Sequence, residues 1–180
     1  DMGIVTSGPF VNYAQDMGVL DMPFLFGING EAYAVLDGEV GQELLGTLES
    51  ANLKGLAYAE LGFRNLTNSV RPVTTVADMA GLKLRVMENE VYAKTFEALG
   101  TNATPMGWQD TLTALQNGAI EGQENPVNVI CSYALWDSNQ KYATLTRHSY
   151  STAIITMSLD KFNELPEDVQ GIFKEAAQEA

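Results

Sequence analysis

A chain of 180 residues with 46% hydrophobic and 18% charged side chains can bury one substantial core or two small ones, and lies outside the composition of disordered segments. Its formal net charge of -13 repels phosphate backbones and anionic lipid headgroups, which disfavours nucleic-acid or membrane-surface binding through a basic patch. One cysteine, Cys131, excludes an intrachain disulfide, and one histidine, His148, excludes a His-rich zinc cluster.

In chain order, "GIVTSG" reads as a strand opening into a loop. "EAYAVLDGEVGQELLGTLESANL" reads as one helix, with Leu44, Leu45 and Leu48 at helical spacing. "KGLAYAELGFRNLTNS" carries Tyr58, Leu61 and Phe63 before polar turn residues, the mark of a long strand. "TVADMAG" predicts a helix of one or two turns, with Thr75 and Asp78 in a capping pattern and Gly81 as its stop. The strand "LKLRV" follows, with Leu82, Leu84 and Val86 on one face and Lys83 and Arg85 on the other.

A helix over "NEVYAKTFEAL" takes Asn89 as N-cap and Gly100 after its end, with Val91, Tyr92, Phe96 and Leu99 inward. After a short strand at "ATPM", the helix "WQDTLTALQNG" stops at a glycine. "AIEGQENP" then ends in a proline that a central strand does not tolerate. "VNVICSYALW" predicts a helix. "KYATLTRHSYSTAIITMS" is too long for one ordinary strand, so a bend or a passage between sheets is expected. "LPEDVQGIFKEAAQEA" predicts a helix with Pro166 at its first position and Val169, Ile172, Phe173 and Ala176 inward.

This alternation is that of an α/β protein, and strand-like crossings near 60 and 150 predict two lobes. Residues 1–62 and 151–180 would form lobe I, left incomplete, with 63–150 inserted as lobe II. A strand pattern opens the sequence with nothing before it and "FKEAAQEA" breaks off in mid-helix without a glycine or asparagine cap, so an internal fragment is expected.

Few residues qualify for chemistry. Arg85 sits one residue before a strand end and shortly before a helix start, where open α/β sheets bind ligands and helix dipoles favour anions. On spacing alone, a strand arginine paired with one of the 23 acids remains open. Arg64 also lies near a strand end, and a guanidinium is the side chain that grips a carboxylate through two parallel bonds. Asn125 and Glu124 in "GQENP" offer a donor and acceptors, although a plain polar turn would look the same. Trp108 at a helix start suits either an aromatic wall over a ligand or a core anchor. Cys131 and His148 make a thiol-imidazole pair conceivable, but Cys131 falls in an apolar helix where inert burial is the commoner fate. Glu121 and Glu124, three apart on a strand, face opposite ways and do not form a carboxylate pair. No metal-ligand motif or nucleotide fingerprint is present, so no cofactor or metal is expected.

"GFRNLTNSVRPVTTVADMAGLKLRV", "ATPMGWQDTLTALQNGAIEGQENP" and "QKYATLTRH", with "LDMPFLF" and "ELPEDVQ", closely resemble the DctP-like solute-binding proteins of TRAP transporters over essentially all 180 residues. The resemblance implies a two-lobed periplasmic-binding-protein fold of type II-like topology, here without its first strand-helix units and closing helices. It implies a non-enzymatic periplasmic protein that closes over a small organic acid, such as a C4-dicarboxylate or sugar acid, and delivers it to a TRAP membrane permease. By the same resemblance Arg85 clamps the carboxylate, Arg64 and Asn125 complete the site, Trp108 takes the aromatic position, and His148 the histidine of the "LTRH" motif. Ser7 and Gly8 would lie in a loop of the facing lobe. A ligand-sensing domain of a regulator or receptor is the alternative from another class, and a thiol hydrolase a third.

Overall fold

The computed structural model describes residues 2–180, and their contacts group into two compact units. Unit 1 holds residues up to 20, 26–61 and 151–180; unit 2 holds 21–25 and 62–150. Hydrogen-bonded strand neighbours run β1-β7-β2-β5-β3-β4, with β6 also pairing β2. In these labels β1 is Met2–Thr6, β2 Leu53–Asn68, β3 Lys83–Val86, β4 Asn102–Pro105, β5 Gly122–Pro126, β6 Tyr142–Thr144 and β7 Tyr150–Ser158.

In unit 1, β1 lies antiparallel on β7 from Met2↔Met157 to Thr6↔Ala153. Its core joins Leu56, Ala57, Ile155, Met157 and Phe162 with Ala177 of the last helix. The stretch expected as one helix is two, α1 (Asn29–Leu36) and α2 (Glu39–Thr47). A Cβ on Gly41 would come within 1.9 Å of the Leu36 carbonyl oxygen, so the chain turns a corner there that a side chain would block. The helix α7 (Glu167–Glu179) has Pro166 as its N-cap. Its inward stripe runs through Phe173 and Ala177, while Ile172 is 61% exposed and Ala176 also faces out. Val169 and Phe173 of the expected face are thus half-buried, while Ala177 takes the inward place expected of Ala176 and Ile172 turns out.

In unit 2, β5 is the inner strand, antiparallel to β2 (Arg64↔Pro126 through Asn68↔Gly122) and parallel to β3 at Leu84↔Gly122. Pro126 occupies its last position and caps the following helix, so its missing N–H falls where the ladder ends. The core combines Leu82, Leu84 and Val86 with Leu66, Met87, Tyr92 and Phe96, as the two-residue alternation of β3 requires. The helix α3 (Glu90–Ala98) starts at Asn89, whose side chain accepts from Val91 N at 2.8 Å and Tyr92 N at 3.4 Å. Tyr92 and Phe96 are buried and Leu99 packs half-buried against their core, and Val91 and Leu99 also line an apolar groove of about 470 Å³ with Met22, Pro23 and Phe24. Thr75 and Asp78 form the capping box of a short turn, Val76–Met79. The helix α4 (Trp108–Asn117) ends on Gly118 at φ 76°.

The helix α5 (Val127–Ser132) has six residues and no buried ones, and Cys131 is exposed. The expectation of an inert, buried cysteine is thus corrected: the helix ends before Ala134, whose φ is 45°, and its half-buried residues are Val129 and Ile130, not Cys131. The long β-branched stretch divides into β6 and β7, as its length demanded. The short helix α6 (Leu159–Asn163) completes unit 1.

Candidate functional site

Register brings the first group together. On β2 and β5 the cross-strand partners are Arg64↔Pro126, Asn65↔Asn125 and Leu66↔Glu124, so the Arg64 side chain lies diagonally beside Glu124 and Asn125. Its Nε and Nη2 donate to the Glu124 carboxylate, and Nη2 also reaches Glu124 O at 2.6 Å and Asn125 Oδ1 at 3.1 Å. His148 Nε2, 3.1 Å from Glu124 Oε2, donates to the same carboxylate, while Nδ1 lies 2.8 Å from Thr146 Oγ1. Phe96 meets the imidazole edge to face, with centroids 5.0 Å apart. The Arg64 guanidinium sits over the Tyr92 ring at 5.4 Å, and Tyr92 Oη is 3.0 Å from Ser149 Oγ.

The charges of this group hold one another. Burial opposes ionisation of Glu124, but the Arg64 guanidinium and the His148 hydrogen bond hold its carboxyl down at about 2. Burial likewise works against the Arg64 charge and is overcome by Glu124, so its pKa is raised. Asp21 behaves differently. Its carboxyl accepts from Asn89 Nδ2 at 2.6 Å, yet burial pushes it up to about 6 against the pull of Asn89 and Arg64.

Arg85 is placed by β3. Its Nε and Nη2 converge on Met106 O at 2.8 and 2.6 Å, and its guanidinium lies 5.6 Å from the centre of the Trp108 ring. Trp108 opens α4 and meets Tyr133 edge to face at 5.0 Å. Arg85 is 4% exposed but, among the described residues, has no carboxylate at ion-pair distance. Burial lowers its pKa to about 10, while it feels both Glu124 and Arg64 electrostatically. A desolvated cation with its fork fixed on one carbonyl is a preorganised partner for an external anion.

Of the sequence candidates, then, Arg64, Glu124, Asn125 and His148 share one hydrogen-bonded cluster, and Arg85 with Trp108 forms a second contact pair of the same unit. The thiol-imidazole reading fails on geometry, because both His148 nitrogens are bonded to groups other than a thiol. Glu121 takes Lys83 N at 3.0 Å, apart from the role of Glu124. In unit 1, Ser7 N donates to Thr152 O at 2.8 Å and Ser7 is buried. Asp21, Gln123, Thr67 and Gln140 carry no local sequence signal, and Tyr92 was expected only as an inward-facing residue of its helix. The Asp21–Asn89 bond spans 68 positions, and nothing in local spacing signals it.

Residues 1–180 match the profile of a family described as bacterial extracellular solute-binding protein, family 7 (DctP). The chain is 45% identical over 174 residues to a solute-binding protein of Verminephrobacter eiseniae, covering 97% of this chain and 52% of the relative. It is 38% identical over 180 residues to the 2,3-diketo-L-gulonate-binding periplasmic protein YiaO of Escherichia coli, covering 100% of this chain and 55% of the relative. The chain thus spans about half the length of these relatives. A crystal structure of a TRAP periplasmic solute-binding protein from Polaromonas sp., bound to D-erythronate, superposes with a TM-score of 0.97 at 40% identity, over 99% of this chain and 59% of that one.

Proposed function

The chain belongs to the DctP family of bacterial extracellular solute-binding proteins, and from that membership we propose that the protein captures a small organic acid anion in the periplasm and delivers it to a TRAP-type membrane permease. Arg85 carries the reading: it is buried, held by Met106 O and Trp108, and unpaired with any carboxylate among the described residues. In this reading Arg85 forms the ion pair with the solute carboxylate and Trp108 covers the solute. Asn125 and Arg64 flank it, while Glu124 and His148 hold the Arg64 guanidinium in place. The protein acts by binding, without turnover. The relatives named for 2,3-diketo-L-gulonate and D-erythronate support sugar acids as the solute class, because such acids join one carboxylate to a chain of hydroxyls. The regulator alternative has no comparable support.

The test is calorimetric titration of the protein at its natural length with D-erythronate, 2,3-diketo-L-gulonate and the uncharged polyol erythritol, together with native mass spectrometry for a co-purified acid. Binding of an acid and no binding of erythritol is expected. A protein that takes erythritol as tightly as the acids does not read a carboxylate, and the proposal fails.

A further inference from the structure

Asn125 is an amide, and its two ends offer opposite things to an anion. Nδ2 donates a hydrogen bond, whereas Oδ1 would present lone pairs to a negative group. Which end is available is decided by what holds the other. Arg64 Nη2 can only donate, and it lies 3.1 Å from Asn125 Oδ1. Asn125 Nδ2 therefore points the other way, donating to Gln123 Oε1 at 2.5 Å. That leaves Gln123 to present Nε2, which donates to Thr67 Oγ1 at 2.7 Å. The hydroxyl so approached sends its own proton to Gln140 Oε1 at 2.8 Å. Gln140 Nε2 ends on the backbone carbonyls of Glu121 and Ser138, each at 3.5 Å.

The two ends of this chain enforce one direction. A guanidinium has no acceptor and a carbonyl no donor, so no amide along the chain can reverse without setting two like groups against each other. All five side chains are buried, so water is poorly placed to repair a reversal. The register makes the chain possible: Thr67 pairs directly with Gln123 across β2 and β5, and Gln123 and Asn125 share a face by the two-residue period.

We infer that Gln123, backed by Thr67 and Gln140, is a positioning residue for solute binding that fixes the Asn125 amide so that its remaining N–H is offered to an oxygen of the solute. The inference rests on the solute-binding reading above and deepens it. Gln123 need not touch the solute; it acts through Asn125.

The experiment is a double-mutant cycle read by titration with D-erythronate and 2,3-diketo-L-gulonate, on the protein at its natural length with thermal melts in parallel. Gln123→Met and Thr67→Val keep volume and remove the hydrogen bonds. Each is expected to weaken binding by roughly three- to tenfold, the range of one net hydrogen bond. Thr67→Ser, which keeps the hydroxyl, is expected to restore wild-type affinity. In an Asn125→Ala background, Gln123→Met is expected to cost nothing more, because the group it positions is gone. An equal loss in that background, or a Thr67→Ser variant as weak as Thr67→Val, would mean that these residues only hold the sheet together, and the inference falls. Should Gln123→Met not fold, the Thr67→Val and Thr67→Ser pair decides the question in the same two backgrounds. Failure of the wild-type protein to bind either acid refutes the solute reading itself, a result distinct from binding without coupling, which refutes only the role of Gln123.

Discussion

Two buried arginines a few residues from strand ends are treated differently by the fold, and that difference sets what each does when changed. Arg64 is matched inside the protein by Glu124, whereas Arg85 bonds to Met106 O, lies against the Trp108 ring and, among the described residues, has no carboxylate at ion-pair distance. Arg85→Ala should therefore weaken acid binding by on the order of a hundredfold or more while the fold persists, since a charge-assisted bond is worth about 1.5–3 kcal/mol and a two-bonded grip more. Arg85→Lys should also lose affinity, because an ammonium cannot make the planar fork; calorimetry on both variants checks this. Glu124→Gln should act on stability, by about 3–5 kcal/mol, through an Arg64 charge left buried without its partner. The pH dependences of Glu124 and Asp21 have opposite signs. The Glu124 carboxyl falls from its ordinary 4.5 to about 2 on folding, so its contribution is present above about pH 4.5 and lost as pH falls toward 2. The Asp21 carboxyl rises from 3.8 to about 6, so the folded state holds a proton that the unfolded chain releases, and stability declines as pH rises from about 4 through 6. Asp21→Asn keeps an acceptor for Asn89 without the charge. It should raise the melting temperature at pH 7, by an amount equivalent to about 3 kcal/mol, and flatten the melting profile between pH 4 and 6.

Helix punctuation and strand alternation were legible wherever the signal is local. Asn89 as an N-cap, the Thr75–Asp78 box and the alternation of Leu82, Leu84 and Val86 depend on residues within one turn or one strand, and each forms as its chemistry dictates. The break between α1 and α2 was not legible, because it is made by the approach of Gly41 to the Leu36 backbone and the apolar pattern runs on through it. The inward face of α7 had the same origin: Val169, Ile172, Phe173 and Ala176 are a self-consistent stripe, and only packing in the cluster of Phe162 and Ile155 keeps Phe173 and takes Ala177 in place of Ile172 and Ala176. A pair of glycine replacements separates these causes. Gly118→Ala puts a side chain at φ 76° but into open space, and should cost about 1 kcal/mol. Gly41→Ala drives a Cβ into backbone at 1.9 Å and should cost about 3 kcal/mol, at the upper end for overpacking. Chemical denaturation midpoints of the two variants measure the contrast, and equal midpoints would remove the corner as the cause of the helix break.

Across the whole molecule, the sequence named residues but not their pairings. Arg85, Arg64, Asn125 and Trp108 stand out by type and by their places at strand ends and a helix start. Their division into an internally neutralised arginine and an unmatched one depends on strand register and on His148 arriving from a segment 24 positions beyond Glu124. Likewise the Gln123–Thr67–Gln140 chain joins parts up to 73 positions apart, beyond any local pattern. The charge of the chain as a whole adds a further consequence. In the proposed function Arg85 takes an anion, yet the 180 residues carry a formal charge of -13, so a distant solute would meet a repulsive field before it met Arg85. Salt removes the long-range repulsion first, because the Debye length contracts from about 30 Å at 0.01 M to about 8 Å at 0.15 M. A buried ion pair is screened much less, so the dissociation rate should hardly change. The association rate of D-erythronate, followed by stopped-flow tryptophan fluorescence, should accordingly rise by roughly two- to threefold over that range. A rate that falls with salt would show that the local field of Arg64 and Arg85 reaches past the surrounding acids and steers the solute in.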